Sequence, residues 1–558
     1  MKKDRNDQFQ ITELTWERIF LHITVHSENT DTPVFFLVKS DEREKLPETL
    51  KESTECIRLQ SEKCENGTVA LTINMAAACG RSFLENGIWK LAAVTKEGVC
   101  PCSVTGSLGY QLDEKSRIFP YGSKKQYSYQ VYFTLSTSEE QQLELEINSC
   151  FMRRNDSWKK KRYATENASL KGKLVGIVKG AVVAAGKLAY WMLEKCFPKN
   201  GKRILFMSET RDALWGNLKY IEARMRERGM DQEYELNYSF RKVLGARQGI
   251  RSWIRTYCLI AKSDYIFIDD YAPIFGQLKL SDRTKLIQVW HAGEGFKSVG
   301  YSRFGKAGSP DPANSCHKTY DYVTVGSKKL IPVYEEVFGI EKEAFLPTGM
   351  ARLDDFLEEG KRQSFQQEFY KQYPQMKGKK VILFAPTFRG TGQREAYYDY
   401  DQLDLKQIYE FCGEESVFLV KVHPFVKEKI SIPEAYRDRI FDFAQYPNIN
   451  DLYYITDLLI TDYSSNYYEY ALLKKPVLFF TYDRETYELL RGVHRGVKEH
   501  APGKVCDTFE ELMKALDEKD YEYEKILRFV EDNFGEYDGH ACDRIIDWII
   551  LENKEVAM

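Results

Sequence analysis

The stretch Ile455–Tyr482, ITDLLITDYSSNYYEYALLKKPVLFFTY, contains a complete strand–turn–helix–strand unit. An apolar run, Leu458–Ile460, comes directly before the polar turn Thr461–Ser465, and a second apolar run, Pro476–Phe480, follows the helical segment. This is the repeating unit of a parallel sheet, and α/β proteins bind ligands at the turns after parallel strands. Two adjacent serines at a helix start suit an anion, although capping of the helix by the same turn explains them equally well.

The composition indicates a large globular protein. The chain has 558 residues, of which 43% are hydrophobic and 29% charged, which allows several domains. A net charge of -3 predicts no nucleic-acid partner. Twelve cysteines without metal-type spacing predict reduced thiols in the cytoplasm and no protein-bound metal. The polar start, MKKDRNDQFQ, predicts no signal peptide, and the lack of a long uncharged apolar run predicts no spanning helix.

Residues 1–150 have the alternating pattern of β-strands. Hydrophobic and polar residues alternate in Ile19–Val25, Val69–Ile73 and Leu143–Ile147, with turn residues between such runs. Several short strands without helical patterns predict a small, β-sandwich-like accessory domain. No catalytic constellation is visible there, so packing, spacing or partner binding are the expected roles.

Residues 151–200 form a basic, amphipathic linker. A basic cluster spans Arg153–Lys173, and the apolar segment Leu174–Phe197 follows, with lysines near one side of a helix. Such a helix either lies in the surface of an anionic membrane or packs as a linker against the next domain. The sequence leaves both interpretations open.

From residue 201 the pattern becomes α/β and repeats. One set of apolar strands falls within residues 201–365 and a second within 366–558. Two doubly wound, Rossmann-like domains facing one another enclose a cleft between their strand ends. The predicted fold is therefore α/β with two Rossmann-like domains, preceded by the all-β domain.

Polar motifs follow four of the predicted strands. They are Gln288–Lys297 (QVWHAGEGFK), Phe384–Gly390 (FAPTFRG), Val420–Pro424 (VKVHP) and the turn after Ile460. Each motif alone is more often structural than functional. Their recurrence at the carboxyl ends of parallel strands favours a shared site, with imidazole, hydroxyl and guanidinium groups available to a phosphate.

These motifs, together with Leu346–Phe356 (LPTGMARLDDF), resemble the CDP-glycerol and CDP-ribitol glycero/ribitolphosphotransferases, the polymerases and primases of teichoic acids and related capsules. The blocks agree in order and spacing over about residues 280 to 500. The resemblance implies a GT-B architecture with the active site in the interdomain cleft. It also implies that an acceptor hydroxyl attacks the β-phosphorus of a CDP-alditol and that CMP leaves.

The resemblance also implies roles for individual residues. His291 is the expected general base, and His423 is expected to bind or polarise the pyrophosphate. The expected donor-binding residues are Ala292, Gly293, Glu294, Gly295, Arg352, Pro386, Thr387, Arg389, Lys421, Val422, Asp462, Ser464, Ser465, Glu469 and Arg491.

Some positions depart from the family pattern. Ala351 stands where the family often has proline, Lys421 and Val422 where it often has Arg-Met, and Glu469 where it often has aspartate. The loop after His291 looks closer to the ribitol-type variants. None of these changes removes a chemically needed group, but the donor alditol stays open between glycerol and ribitol.

The expected partners are CDP-glycerol or CDP-ribitol and a lipid-linked or glycan acceptor at the cytoplasmic face of the membrane. No cofactor is expected, except that Mg²⁺ can accompany the diphosphate. Two alternatives remain: a nucleotide-sugar glycosyltransferase of the same fold, and a non-catalytic subunit of a wall- or capsule-synthesis complex.

Overall fold

The computed structural model describes residues 9–27, 33–40, 46–47, 49–50, 55–64, 67–96, 98–121, 127–137, 143–153, 184–241, 249–291, 299–303, 310, 315–390, 395–491, 495–535 and 537–553. Most of the predicted basic cluster and the start of the amphipathic segment lie outside these residues. The described part contains one large, mostly antiparallel sheet and two parallel six-stranded sheets. The predicted mixture of α and β structure is confirmed.

The first sheet contains twelve strands within residues 9–153. In β2, Leu21, Ile23 and Val25 are buried and alternate with less buried residues, because successive strand side chains point to opposite faces. Strands occupy the predicted stretches, and hydrogen bonds join them into one continuous sheet. The strands are β1 (Phe9–Glu17), β2 (Phe20–Ser27), β3 (Val34–Ser40), β4 (Cys56–Arg58), β5 (Gln60–Lys63), β6 (Thr68–Asn74), β7 (Gly87–Thr95), β8 (Gly98–Pro101), β9 (Ser103–Val104), β10 (Arg117–Tyr121), β11 (Tyr127–Thr137) and β12 (Leu143–Arg153).

The second sheet is parallel, and its strands are short, largely apolar and mostly buried, except for the edge strand Glu235–Phe240, which is more exposed. Its strands are β13 (Arg203–Ser208), β14 (Glu235–Phe240), β15 (Tyr265–Ile268), β16 (Lys285–Gln288), β17 (Tyr322–Thr324) and β18 (Phe345–Leu346). The spatial order is β14-β13-β15-β16-β17-β18, so the strand order reverses between β13 and β15. The helices of this part are 184–196, Gly216–Glu227, Ile250–Lys262, Ile331–Phe338 and Glu359–Gln372.

The third sheet contains the predicted strand–turn–helix–strand unit of Ile455–Tyr482. Its strands are β19 (Lys380–Phe384), β20 (Ser416–Val420), β21 (Ile440–Asp442), β22 (Leu458–Thr461), β23 (Val477–Phe480) and β24 (Lys504–Cys506). All pair in parallel, in the order β21-β20-β19-β22-β23-β24, which is the order of a dinucleotide-binding fold with its switch point between β19 and β22. The helices that follow β19 are Leu405–Cys412, Ile449–Tyr453, Tyr467–Ala471, Arg484–Arg491, Val497–His500, Phe509–Glu518, Glu524–Phe534 and Ala541–Ile549.

The last helix, Ala541–Ile549, packs into the core of the second sheet. Ile545, Ile546 and Ile549 are buried there among residues of β13 and of the helix Gly216–Glu227. Arg224 adds a bidentate ion pair with Asp543, with both N···O distances 2.9 Å. The predicted division at residue 365 places this helix in the half that contains residues 366–558. Its side chains, however, fill the core of the half that contains residues 201–365.

The helix 184–196 packs against the second sheet through one face. Tyr190 is buried in that core, and Leu193 and Phe197 pack against it, as the linker interpretation predicts. The opposite face leaves Leu188, Trp191 and Met192 exposed by 57%, 51% and 50%. None of the helices in the described ranges combines the length and apolarity needed to cross a membrane.

The first sheet contacts the neighbouring parallel unit through buried polar groups. The ammonium of Lys318 donates to the main-chain oxygens of Ala76 and Gly339. Burial lowers the pKa of Lys318 well below its ordinary value. The guanidinium Nε of Arg18 lies 2.7 Å from a carboxylate oxygen of Glu336, a buried residue of the helix Ile331–Phe338. These contacts join the sheet β1–β12 to the unit that carries His291.

Candidate active site

His291 lies just beyond β16, after a turn in the main chain at Trp290. The φ angle of Trp290 is 46°, in the left-handed region that residues with side chains rarely adopt. Nδ1 of His291 lies 2.9 Å from the main-chain oxygen of Asp269, just after β15. Because a carbonyl oxygen only accepts, Nδ1 carries the proton of the neutral ring and Nε2 carries the lone pair. A ring held in this way is arranged to accept a proton at Nε2.

Two acidic residues after β15 lie next to this ring. Asp270 Oδ2 is 3.8 Å from Nδ1 of His291 and accepts a hydrogen bond of 2.9 Å from the hydroxyl of Thr210. Burial raises the pKa of Asp269, a hydrogen bond from Ser208 opposes the rise, and the nearby Asp270 adds to it. This acidic pair directly follows the carboxyl end of β15. The structure places it where negative charge stabilises a positive charge on His291.

Arg352 joins His291 to the other parallel sheet. One terminal nitrogen of its guanidinium donates to the main-chain oxygen of His291, and the other donates to Oε1 of Glu469. Arg352 lies in the turn after β18, whereas Glu469 belongs to the helix Tyr467–Ala471 that follows β22. Three residues predicted from separate motifs are therefore in direct contact across the two sheets.

Asp462 connects the two turns at the switch point of the third sheet. Its carboxylate is fully buried; Oδ1 accepts a hydrogen bond of 2.7 Å from the main-chain N–H of Thr387, and Oδ2 accepts one of 2.8 Å from Arg389. The residue at the N-cap of the following helix is Asn466, so Asp462 does not cap it. The acidic residue instead holds the turn after β19 against the turn after β22.

Arg389 is held by two carboxylates. Its guanidinium is 6% exposed and forms two hydrogen bonds, of 2.7 and 2.9 Å, with Asp483 in addition to the bond with Asp462. Burial acts to lower the pKa of Arg389, but the carboxylates of Asp462 and Asp483 outweigh it, and the pKa lies above its ordinary value. The sequence predicted that this guanidinium binds phosphate. In the structure two carboxylates engage it, so it stabilises the turn.

His423 follows β20 and lies against the turn after β19. The main-chain N–H of Phe425 donates to its Nδ1 over 3.2 Å, which places the proton of the neutral ring on Nε2. The ring centroid is 4.9 Å from that of Phe388 and 4.5 Å from that of Phe425. Two of the predicted motifs therefore meet here, and His423 presents a donor where His291 presents an acceptor.

Three other predicted donor-binding side chains are buried beneath these turns. Lys421 donates a hydrogen bond of 2.9 Å to the main-chain oxygen of Ala444, and burial lowers its pKa while Asp442 opposes the decrease. Val422 packs in an apolar core, and Pro386 is buried. These side chains support the turns from inside the fold, and their roles in donor binding stay predictions.

The two serines lie between β22 and the helix Tyr467–Ala471. Ser465 is exposed, and Oγ of Ser464 accepts a hydrogen bond of 3.4 Å from the main-chain N–H of Asn466. The amide of Asn466 in turn donates a hydrogen bond of 2.7 Å to the main-chain oxygen of Ala385 after β19. Asn466 was not predicted from the sequence, although its place directly after two turn serines was a usable signal.

Some predicted residues cannot be placed. The loop residues Ala292, Gly293, Glu294 and Gly295 lie outside the described residues, and the side chain of Arg491 is not described. Their roles stay predictions, as does the absence of a protein-bound metal. Within the described ranges, no three His, Cys, Asp or Glu side chains are grouped so that they could hold a metal ion.

Contacts connect the two histidines through both sheets. Arg352 contacts both His291 and Glu469, which lies in the helix after β22. In the turn before that helix, Asn466 donates a hydrogen bond to Ala385 in the turn after β19. Phe388 of the same turn packs against His423. This path contains residues from all four motifs.

Comparison with known proteins agrees with this arrangement. The family model of the CDP-glycerol:poly(glycerophosphate) glycerophosphotransferases matches residues 189–551. The chain belongs to this family. The glycerophosphotransferase match confirms the resemblance found in the motifs and covers both parallel sheets.

Curated relatives and solved structures extend the glycerophosphotransferase comparison. The teichoic acid ribitol-phosphate polymerase TarL of Staphylococcus aureus is 39% identical over 349 residues, which are 62% of this chain and 62% of TarL. The teichoic acid ribitol-phosphate primase of Bacillus spizizenii is 30% identical over 388 residues, which are 67% of this chain and 97% of the primase. A structure of the wall teichoic acid polymerase TagF, with a histidine replaced by alanine, has 25% identity and a TM-score of 0.53, and the match covers 69% of this chain and 97% of that one.

Proposed function

We propose that the protein transfers an alditol phosphate from a CDP-alditol to an acceptor hydroxyl and releases CMP. The observation that carries the proposal is the opposite placement of the imidazole protons. His291 presents a lone pair at Nε2, whereas His423 presents an N–H at Nε2. Phosphoryl transfer to a hydroxyl needs a group that accepts the hydroxyl proton and donors for the phosphoryl oxygens.

In the proposed reaction His291 acts as the general base. The acceptor oxygen forms a bond to the β-phosphorus while the bond from that phosphorus to the bridging oxygen breaks, and CMP leaves with the electron pair. The hydroxyl proton passes to Nε2 of His291. The main-chain oxygen of Asp269 and the carboxylate of Asp270 then stabilise the imidazolium from the Nδ1 side.

The donor diphosphate is proposed to bind at the switch point of the third sheet. The N–H of His423, the hydroxyls of Ser464 and Ser465, and the main chain of the turns after β19 and β20 supply polar groups there. Charge on the phosphoryl oxygens spreads in the transition state, so positioned donors supply most of the catalysis. A Mg²⁺ ion, if required, accompanies the diphosphate.

The two parallel sheets are proposed to be two Rossmann-like domains that face each other as in GT-B enzymes, after an all-β accessory domain. Their strand-end turns touch through Arg352 and Glu469. The helix Ala541–Ile549 returns to the first of these domains and ties the two together. In this arrangement the acceptor binds on the side of β16 and the donor on the side of β22.

Ribitol is the proposed donor alditol. Two relatives named as ribitol-phosphate polymerases, TarL and TarK of Staphylococcus aureus, are each 39% identical to this chain. A relative named as a glycerol-phosphate primase, from Bacillus subtilis, is 30% identical. The chain spans 62% of the length of TarL, so we propose, and do not infer directly from this similarity, that it shares the activity of TarL.

The acceptor is proposed to be lipid-linked. The protein is proposed to bind the cytoplasmic surface of the cell membrane. Beside the exposed Leu188, Trp191 and Met192, the helix Ile250–Lys262 exposes Trp253 and Ile254. The two helices adjoin, because a Cβ added at Gly186 would lie 2.8 Å from the hydroxyl of Tyr257. The exposed basic residues of these helices are Lys187, Lys195, Arg251 and Arg255. An apolar face bordered by cations suits an anionic bilayer.

Vesicle binding tests the membrane proposal. The protein should co-sediment with vesicles containing phosphatidylglycerol and less with pure phosphatidylcholine. Trp191→Glu and Trp253→Glu should each lower the partition coefficient about tenfold, since burial of one large apolar side chain contributes about 1.5–3 kcal/mol. Tyr132→Glu changes an aromatic residue of β11 in the first sheet that is 42% exposed, between the 51% of Trp191 and the 37% of Trp253, and should have no effect. Equal binding by all variants would reject this surface.

A donor panel tests the activity. The protein is incubated with CDP-ribitol, CDP-glycerol and UDP-sugars together with a membrane-derived acceptor, and the release of CMP or UDP is measured. We expect CMP from CDP-ribitol. Release of UDP alone would instead identify a glycosyltransferase, and no release at all would favour a non-catalytic subunit.

Histidine variants test the site within the same assay. His291→Ala and His423→Ala should each lower the rate of CMP release by about 10²–10⁴. His22→Ala in β2 is the control, because the side chains of His22 and His291 are similarly exposed, by 35% and 36%. Unchanged release in both site variants would show that these imidazoles do not carry the reaction.

A further inference from the structure

We infer that Asn217 is a positioning residue that holds the main chain before His291 and so directs Nε2 of His291 at the acceptor hydroxyl. This inference rests on the proposed phosphotransferase function. Asn217 is the second residue of the helix Gly216–Glu227, and none of the four motifs contains it. It is 2% exposed, so solvent cannot satisfy its amide.

The amide of Asn217 binds three main-chain groups of the site. Its nitrogen lies 2.8 Å from the main-chain oxygen of Val289 and 2.8 Å from that of Trp290. Its oxygen accepts a hydrogen bond of 3.0 Å from the main-chain N–H of Arg352. One side chain therefore fixes the chain on both sides of the contact between Arg352 and His291.

The two carbonyl contacts explain the unusual conformation of Trp290. In an extended strand, consecutive carbonyls point to opposite sides, so one amide nitrogen cannot bind both. The left-handed φ of Trp290, 46°, turns the chain so that both oxygens face Asn217. Gln288 supports the same turn, because its side-chain oxygen accepts a hydrogen bond of 2.8 Å from the main-chain N–H of Trp290. The hydrogen bonds thus offset the strain of a conformation that favours glycine.

The consequence for His291 follows from its position directly after this turn. If Trp290 relaxed to an extended conformation, the direction of the His291 side chain would change, and the bond from Nδ1 to Asp269 would be lost. The proton of the neutral ring would then no longer be confined to Nδ1. Loss of Asn217 should therefore weaken the chemical step and leave the donor site after β19 and β22 intact.

A buried asparagine could also serve packing alone, and kinetics separates the two roles. If Asn217 directs His291, Asn217→Ala should lower kcat for CMP release about 100-fold, the usual cost of misplacing a reacting group by about 1 Å. The KM for the CDP-alditol and its dissociation constant should change less than threefold. A packing role would instead lower the melting temperature and the amount of active enzyme, without changing kcat per active site.

Two further variants complete the experiment. Asn217→Asp keeps the size of the side chain and the acceptor for Arg352 but removes both donors to the carbonyls, so it should fold and still lose kcat. Asn148 of β12 is also buried, and its amide donates a hydrogen bond of 2.8 Å to the hydroxyl of Thr134. Asn148→Ala removes this amide and should leave kcat unchanged.

The outcomes are distinct. A wild-type kcat in folded Asn217→Asp would overturn the inference and leave the phosphotransferase function standing. A kcat loss in Asn148→Ala equal to that in the Asn217 variants would also overturn it. Wild-type protein that releases CMP from no donor would overturn the proposed function, and the inference with it.

Discussion

Replacing Arg389 with methionine should destabilise the third sheet far more than an ordinary surface arginine replacement. The variant would leave the carboxylate of Asp462 buried without its cation, and Asp462 is fully buried in the wild type. Breaking a buried pair by removing one partner costs about 3–5 kcal/mol. Asp483 is 22% exposed and can regain water, so it adds little to this cost.

Thermal unfolding measures the effect. For a unit of about 150–250 residues, 1 kcal/mol corresponds to about 2–4 °C, so Arg389→Met should melt about 10 °C below the wild type. Arg484 provides the matched control because it also pairs with an aspartate through two nitrogens, at 2.9 and 2.8 Å from Asp507, but at a more exposed position. Arg484→Met should change the stability by about 1 kcal/mol or less.

A second substitution and a kinetic measurement complete this test. Adding Asp462→Asn to Arg389→Met removes the stranded charge, so the double variant should recover part of the lost stability. If Arg389→Met melts within 2 °C of the wild type and raises the KM for the CDP-alditol, the structural argument is refuted. In that case the guanidinium would bind the donor, as the sequence predicted.

Three further predictions concern other parts of the protein. Burial raises the pKa of Glu335 from 4.5 to about 7. Between pH 4.5 and 7 the carboxyl group is therefore protonated in the folded state and ionised in the unfolded chain, so the free energy of unfolding falls as the pH rises. The melting temperature of Glu335→Gln relative to that of the wild type should therefore rise from about pH 5 to 7 and stay constant above pH 7. A difference that does not depend on pH would contradict this prediction. Arg18→Ala leaves the carboxylate of Glu336 without its partner and should cost about 1–3 kcal/mol, seen as faster proteolysis of the first sheet; unchanged proteolysis would show that the pair does not hold the sheet. Joint replacement of Ser464 and Ser465 by alanine should raise the KM for the CDP-alditol about tenfold at an unchanged melting temperature, and an unchanged KM would remove the serines from the donor site.

Local patterns in the sequence were sufficient for the elements around the site. The apolar run Leu458–Ile460 and the polar turn after it became β22 and its turn, because a strand buried on both faces needs such a run and the turn needs polar residues. The motifs around His291, Arg352 and Glu469 also contained enough information to name residues that prove to be in contact. These features depend on short stretches of chain and on a resemblance between motifs.

Contacts between segments that are distant in the chain could not be predicted from the sequence. The terminal helix Ala541–Ile549 carries a general amphipathic pattern, which does not say which sheet it covers. Arg389 has the chemistry of a phosphate ligand in either setting, and only its distance from Asp462 and Asp483 shows that carboxylates engage it.

Two imidazoles and two serines at strand ends, and the order of the strands along the chain, could be recognised from the amino-acid sequence. The nitrogen that holds the proton in each imidazole became clear only from the folded chain, because it depends on the main-chain groups of Asp269 and Phe425 beside the rings. The folded chain also reveals that Asn217 shapes the turn before His291. Hydrogen bonds between remote segments form only when the chain has folded, so local composition does not record them.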